Sequence, residues 1–203
     1  MPNNMRKTVI FDLGNVLINW APDEILQRFT ADPVEREQYR QVFFSQTWLA
    51  LDAGLIEYDN ALKLFSLLLE KPLSEMERFM QTVRESLDPL PLALALLHDL
   101  ARRKVDLICI SNMPLHADAY LRKRYDYWPL FRGIVISAQV QLLKPHLDIF
   151  HYAIEQYQLA PDRSLFIDDS KANIDAAQKC GIQGVWYQND QAGIEQVYRF
   201  LNQ

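Results

Sequence analysis

The chain has 203 residues, 49% of them hydrophobic, and a formal net charge of -5. That much apolar content can bury a full core, either as one large domain or as a core with a smaller inserted unit. The basic residues form no dense block, which argues against nucleic acid as the main partner, whereas one or two local cations would suffice for a small anionic substrate. No apolar stretch reaches the length of a membrane span, the richest (Leu62 to Leu69) being interrupted by Lys63 and Ser66. No secretory leader is visible, and the two cysteines, Cys109 and Cys180, belong to no Cys-x-x-Cys motif. Both are expected to be structural thiols of a cytoplasmic protein, a monomer or weak homodimer.

The first element predicted along the chain is a buried strand, Thr8-Val9-Ile10-Phe11, stopped by Asp12. Asn19 to Asp23 then reads as a turn with a helix start, Pro22 suiting the first helical turn. From about 23 to 87 the pattern is helical throughout. Ile25, Leu26 and Phe29 share one face, and Leu62, Phe65, Leu68 and Leu69 share another. Ser74-Glu75-Met76-Glu77 is expected to open the last of these helices as a capping box. Asp88-Pro89-Leu90-Pro91 punctuates the segment's end. The expected organisation is therefore a helical cap over 19–88, inserted into an α/β core made of 1–18 and 89–203.

Beyond that boundary helices and strands alternate. Helices are predicted over 92–103, 114–125, 148–157, 170–179 and 193–201, and strands over 105–110, 133–137, 164–167 and 183–187. Repeated β-α units call for a doubly wound parallel sheet with helices on both faces. Its strands should be short and solidly apolar, as strands buried on both faces are.

Ligands in such sheets gather at the carboxyl ends of the strands. Strand one delivers Asp12 there. Strand two delivers Ser111 and Asn112, the loop after strand three delivers Lys144, and strand four delivers Asp168 and Asp169. Each residue alone has a plainer explanation. Asp12 could be a turn acid, Ser111-Asn112 a helix cap, Lys144 a solvated loop lysine, Asp168-Asp169 another cap, and Asn173 a surface amide. Together they form a coherent set. Three clustered carboxylates repel one another unless a cation sits among them. Oxygen ligands near a phosphate suit Mg²⁺, while Ser111 with helix-start N–H groups, and the Lys144 ammonium, suit a phosphoryl group. A carboxylate attacking phosphorus in that setting would form an aspartyl-phosphate.

Four stretches in this order, Phe11-Asp12-Leu13-Gly14-Asn15-Val16-Leu17, Ile110-Ser111-Asn112, Leu143-Lys144-Pro145 and Phe166 through Ile174, resemble the haloacid dehalogenase-like hydrolases, in the branch with a helical cap after the first motif. The nearest look is to the sugar-phosphate phosphatases of that branch and to the phosphatase domain of soluble epoxide hydrolases. The resemblance covers nearly the whole chain. It implies a Rossmann-like core and a Mg²⁺-dependent phosphatase for a small phosphorylated metabolite, a sugar phosphate first of all. It further implies that Asp12 is the nucleophile and a metal ligand, that the Gly14 carbonyl and Asp169 are ligands, and that Asp168 ligates directly or through water. Ser111, Asn112 and Lys144 would hold the phosphoryl group.

Two departures from the family pattern stand out. Where relatives carry a second acid two residues after the nucleophile, this chain has Gly14, so the usual proton donor is missing. Around Lys144 the neighbours are Leu143 and His146 rather than a basic and an acidic residue. His116 is one conceivable substitute donor. Trp48, Asp52 and Tyr58 flank a cap stretch expected to face the site and select the substrate. A 2-haloacid dehalogenase and a catalytically weak phosphate-binding protein are the alternatives. The Asp168-Asp169 pair favours the phosphatase over the dehalogenase.

Overall fold

The computed structural model describes residues 7–203, so the first six residues of the expected core segment 1–18 lie outside the description. Five strands form one parallel sheet: β1 (Thr8–Phe11), β2 (Asp106–Ser111), β3 (Gly133–Ile136), β4 (Ser164–Asp168) and β5 (Gln183–Trp186), in the order β3-β2-β1-β4-β5. The strand that comes first in sequence is thus the middle of the sheet. Phe11 sits level with Cys109 on one side and Ile167 on the other. One residue on, the Asp12 N–H still donates to the Ile167 carbonyl at 3.0 Å, so the acid leaves the sheet in register with its neighbours.

Alternate residues of each strand enter different cores. Val9, Phe11, Leu107, Cys109 and Ile167 pack on one face. They meet helices α6 (Pro91–Arg102), α7 (Leu115–Arg124) and α11 (Gln191–Asn202). Ile10, Ile108, Ile110, Val135 and Phe166 pack on the other, against α9 (Leu147–Tyr157) and α10 (Lys171–Lys179). This is the doubly wound α/β arrangement, in which period-two side-chain alternation feeds two helical layers. The edge strand β5 departs from the solidly apolar expectation. Gln183 and Trp186 are exposed, and among the described residues no further strand pairs with that edge.

Between β1 and α6 lie five helices: α1 (Pro22–Phe29), α2 (Pro33–Phe43), α3 (Gln46–Asp52), α4 (Tyr58–Leu69) and α5 (Leu73–Glu85). They share their own apolar cluster, in which Leu26, Tyr39, Phe65, Phe79 and Met80 are almost entirely buried. The capping box expected at Ser74 does not form. Helix α5 already begins at Leu73 with Pro72 as its N-cap, which places Ser74 inside the first turn. Real side-chain caps occur instead at Asp32, which accepts from Val34 N–H, and at Ser45, which accepts from Trp48 N–H.

Among the contacts that join the helical unit to the core are two sets, the chain crossing and the α3–α8 contact. The chain's exit and return run side by side: Asn19 N–H donates to the Asp88 carbonyl at 2.8 Å and Leu90 N–H to the Leu17 carbonyl at 2.9 Å. On the far side the end of α3 rests on α8 (Ser137–Val140). There Ser137 Oγ donates to the Asp52 carbonyl at 2.6 Å and Gln141 Nε2 to the Gly54 carbonyl at 3.3 Å. Gly54 has a left-handed φ of 67°. A Cβ at this position would stand 2.2 Å from the Ala138 carbonyl oxygen.

A side chain at Gly54 therefore meets both backbone strain and a hard clash. Gly54→Ala is expected to cost about 1–3 kcal/mol, read as a lower urea midpoint. Faster amide exchange should appear at 50–56 and at α8 while the sheet stays protected.

Candidate active site

The carboxyl edge of the sheet holds an acidic cluster around one ammonium. Carboxylate oxygens of Asp12, Asp168 and Asp169 lie within 4.8 Å of one another. Lys144 Nζ donates to Asp12 Oδ1 at 2.8 Å and to Asp168 Oδ2 at 2.7 Å. Asp12, Lys144 and Asp168 are all buried. Lys144 is thus no solvated loop lysine. The Asn112 amide holds its backbone from both sides, Nδ2 donating to the Lys144 carbonyl at 2.9 Å and Oδ1 accepting the Lys144 N–H at 2.9 Å. This uses the Asn112 side chain to place the lysine. Any contact from Asn112 to an anion falls to its backbone.

Asp168 is fully occupied. Its Oδ1 accepts from Ser170 N–H at 2.8 Å and from Asn173 Nδ2 at 3.0 Å, and its Oδ2 accepts from Lys144 and again from Asn173. Asn173 is therefore an orienting amide for this acid rather than a surface residue. Asp169 is freer and half-buried. Its Oδ2 accepts from Asn15 Nδ2 at 3.0 Å, while Asn15 Oδ1 accepts the Trp20 N–H at 3.0 Å. Asn15 has a left-handed φ of 52°, which its short polar side chain tolerates. It links the first motif to the helical unit, a role that sequence reading missed although an Asn directly after a Gly is a recognisable turn signal.

The electrostatics follow from burial. One ammonium faces three carboxylates, and Lys144 is already shared by two of them. Burial pushes the Asp12 carboxyl up to about 7, with Lys144 pulling against it and Asp168 adding to it. Burial also raises Asp169, against the hydrogen bond from Asn15. Burial alone would lower Lys144, but Asp12 and Asp168 reverse this and hold it raised, so it stays charged. The surplus of negative charge, all on oxygen donors, fits a hard divalent cation. Asp12, Asp169 and the Gly14 carbonyl are the groups left to offer it. Ser111, buried at the end of β2, sits where the chain turns toward the N-terminus of α7.

A cavity of about 240 Å³ opens above the cluster. Its floor includes Asp12, Ser111, Asn112, Lys144 and Asp169. Its walls are largely apolar, from Ile18, Trp20, Trp48, Val83, Leu87 and Leu121. Trp48 belongs at once to this wall and to the core of the helical unit. Asn15, Asp52, Arg84, His116 and Asn173 also belong to the lining. His116 stacks on Tyr58 with ring centroids 4.2 Å apart, and Arg84 donates to the Tyr58 hydroxyl at 2.9 Å. Burial, aided by Arg84, pushes the His116 imidazole down to about 4. Held neutral in this way at ordinary pH, it is poorly suited to the substitute-donor role that its position suggested. His146 is the N-cap residue of α9 and does not line the cavity.

A family model described as haloacid dehalogenase-like hydrolase matches residues 6–181. The chain is 28% identical over 179 residues to the sesquiterpene phosphatase astK of Aspergillus oryzae, an alignment that covers 88% of each protein. It is 26% identical over 187 residues to the drimenol cyclase drtB of Aspergillus calidoustus, covering 90% of this chain and 34% of that protein. Among solved structures, a HAD family enzyme of Bacteroides thetaiotaomicron, in complex with magnesium and inorganic phosphate, matches with a TM-score of 0.74 at 24% identity. That match covers 89% of this chain and 93% of the other.

Two outcomes follow from the site alone. Lys144→Met leaves Asp12 and Asp168 buried without their shared cation, so a loss of about 3–5 kcal/mol is expected in chemical unfolding. For His116 the sign comes from its lowered pKa. Below the ordinary imidazole value the unfolded chain takes up a proton that the folded chain refuses. This group's contribution to stability should therefore fall as pH drops from about 6.5 toward 4, by an amount on the order of 1–3 kcal/mol, against the opposite contribution of the raised Asp12 and Asp52 carboxyls. His116→Phe, which keeps a ring against Tyr58, should remove it, so that the variant gains stability relative to wild type as pH is lowered from about 6.5 toward 4.

Proposed function

The chain belongs to the haloacid dehalogenase-like hydrolases, and we propose that it is a Mg²⁺-dependent phosphomonoesterase working through an aspartyl-phosphate on Asp12. The observation that carries this reading is the ion-paired carboxylate at the floor of the cavity. Asp12 is held by Lys144 and flanked by Asp168 and Asp169, where an attacking oxygen and a phosphoryl group would meet. Mg²⁺ would be held by Asp12, the Gly14 carbonyl and Asp169, with Asp168 behind them. When bound, it supplies positive charge that screens the approach of one anion to another.

The protein's own groups account for the remaining steps. Lys144 fixes the Asp12 carboxylate and lends charge to the phosphoryl oxygens. Ser111 and the backbone N–H groups that follow it bind the same oxygens. Asp12 attacks phosphorus, the ester oxygen leaves, and water then releases phosphate from the aspartyl group. The helical segment 19–88 acts as the cap that closes over the substrate and keeps bulk water away.

The substrate is a small phosphorylated metabolite. A sugar phosphate is what the resemblance of the motifs suggests, and Asp52 and Arg84 could serve hydroxyl groups. The cavity wall favours a different leaving group. Ile18, Trp20, Trp48, Val83 and Leu121 offer a sugar few partners, whereas they would strip water from an alkyl or isoprenyl chain. The name of the Aspergillus oryzae relative, a sesquiterpene phosphatase, points the same way. We therefore place isoprenyl monophosphates ahead of sugar phosphates.

A panel of phosphate monoesters, assayed with Mg²⁺ and with chelator, tests this. Phosphate release is expected only with Mg²⁺, and kcat/KM should rise along a series of lengthening alkyl or isoprenyl phosphates. Each methylene buried is worth about 0.8 kcal/mol, roughly fourfold in kcat/KM. Asp12→Asn should lose on the order of 10⁴-fold or more in kcat. Higher kcat/KM for sugar phosphates than for the chain series would return the substrate to the sugars. Chloride release from a 2-haloacid, without phosphatase activity, would replace the phosphatase by a dehalogenase.

A further inference from the structure

The site as built has a nucleophile and an anion cradle but no evident proton carrier, because position 14 is a glycine. An alkoxide is a poor leaving group, so the missing proton matters for an alkyl phosphate. The cavity lining narrows the choice. Lys144 is committed to two carboxylates, and Asp168, just beside it, has both oxygens filled. Asp169 belongs to the cation side of the cluster and is held by Asn15. His116 is neutral, and an arginine such as Arg84 does not give up its proton at working pH. Asp52 remains.

We propose that Asp52, at the end of α3 on the cap wall of the cavity, is the proton carrier of this enzyme, replacing from another element of the same chain the acid absent at position 14. The proposal rests on the phosphatase reading above.

Three observations support it. The first is placement. Asp52 lines the cavity that also contains Asp12 and Gly14. Its backbone is anchored by Ser137 Oγ, which donates to the Asp52 carbonyl at 2.6 Å while accepting the Met113 N–H at 2.8 Å. Ser137 is completely buried. One hydroxyl thus ties the cap segment bearing Asp52 to the loop bearing Ser111 and Asn112. The second is local chemistry. Asp52 stands at the C-terminal end of its helix, where backbone carbonyls disfavour a carboxylate, and among the described residues it has no ion-pair partner. Burial pushes its carboxyl up to about 7, against a hydrogen bond from Trp48. Acid and base forms are then both populated near neutral pH, as a group that must give and then take a proton requires. The third is the shape of the surroundings. The titratable and charged groups facing the same space are Arg84, His116, Asp12, Lys144 and Asp169, and none is hydrogen-bonded to the Asp52 carboxyl.

The proton balance closes over two steps. As Asp12 attacks, the bond from phosphorus to the ester oxygen breaks, and the departing electron pair on that oxygen takes the Asp52 proton to give the alcohol. In the second step a water oxygen attacks phosphorus and passes its proton to the Asp52 carboxylate. The bond from Asp12 to phosphorus breaks, leaving inorganic phosphate, the Asp12 carboxylate and a reprotonated Asp52.

The test compares two leaving groups in the wild type and in Asp52→Asn. In single turnovers of an alkyl phosphate, Asp52→Asn should slow ester cleavage by about 10²–10⁴-fold with KM little changed. With p-nitrophenyl phosphate, whose leaving group departs without a proton, the loss in the rate of the p-nitrophenol burst should be at least about tenfold smaller, because only the later hydrolysis of the aspartyl-phosphate then needs Asp52. The wild-type cleavage rate for the alkyl ester should also fall on the alkaline side of neutrality, a limb missing with the aryl ester. Equal losses in the cleavage step on both esters, a change in KM alone, or the same alkaline limb with both esters would overturn Asp52 as the proton carrier. A wild type inactive on both esters would instead overturn the phosphatase reading itself.

Discussion

The ion pair on which this site depends is the Lys144 ammonium held between Asp12 and Asp168. Three carboxylates gathered at the end of a buried sheet repel one another and lack water to dilute that repulsion. One buried cation lets the cluster exist in the folded protein without neutralising it. The negative charge left over is what gives the site affinity for a metal ion. The lysine itself is placed by a residue from another strand, since Asn112 holds its backbone on both polar atoms. Asp168 is fixed in turn by Asn173 and the Ser170 N–H. Lys144 and Asp168 are therefore each aimed by a neutral amide from a different element, and Asp12 is held by that lysine and by the Leu13 N–H. A set built this way is pre-organised before any substrate arrives.

The second constraint is how the helical unit meets the sheet. Among its contacts, the exit and return segments at 17–19 and 88–90 are paired by backbone hydrogen bonds, Tyr58 lies against His116, and the α3–α8 contact sets a glycine against a carbonyl and uses a buried serine hydroxyl. Trp48 and Asp52 both reach the cavity from α3. The apolar wall and the carboxyl group beside it are thus carried by one element.

Much of this was legible in the sequence because buried parallel strands are short, apolar and bounded by residues that cannot be buried alone. Asp12, Ser111 and Asp168 each end such a run, and the alternation of elements fixed which edge they share. The edge strand β5 was less regular because one side of it faces solvent, and the Ser74 capping box failed because Pro72 starts the helix earlier. What could not be read were the pairings over long separations. Asn15 with Asp169, Asn112 with Lys144 and Ser137 with Asp52 each join residues that only the fold brings together. His116 illustrates the same limit. Its place on the helix after Ser111-Asn112 was visible, but its neutrality comes from burial beside Arg84 and Tyr58.

The glycine at position 14 makes sense within that arrangement. It faces Trp20, whose backbone is tied to Asn15, and a Cβ there would meet the Trp20 Cβ at 3.7 Å. There is room for a side chain, so packing does not demand glycine. A carboxylate at that position, however, would lie against the aromatic wall formed by Trp20 and Trp48, and would bring a fourth negative charge beside Asp12 and Asp169. Placing the titratable acid on α3 instead separates it from the cluster. Its pKa is then set by burial at a helix end and by Trp48, independently of the metal-side charges. For an apolar leaving group the arrangement has a direct consequence. The wall beside the nucleophile is largely apolar, and the proposed proton carrier stands at the end of α3 rather than at position 14.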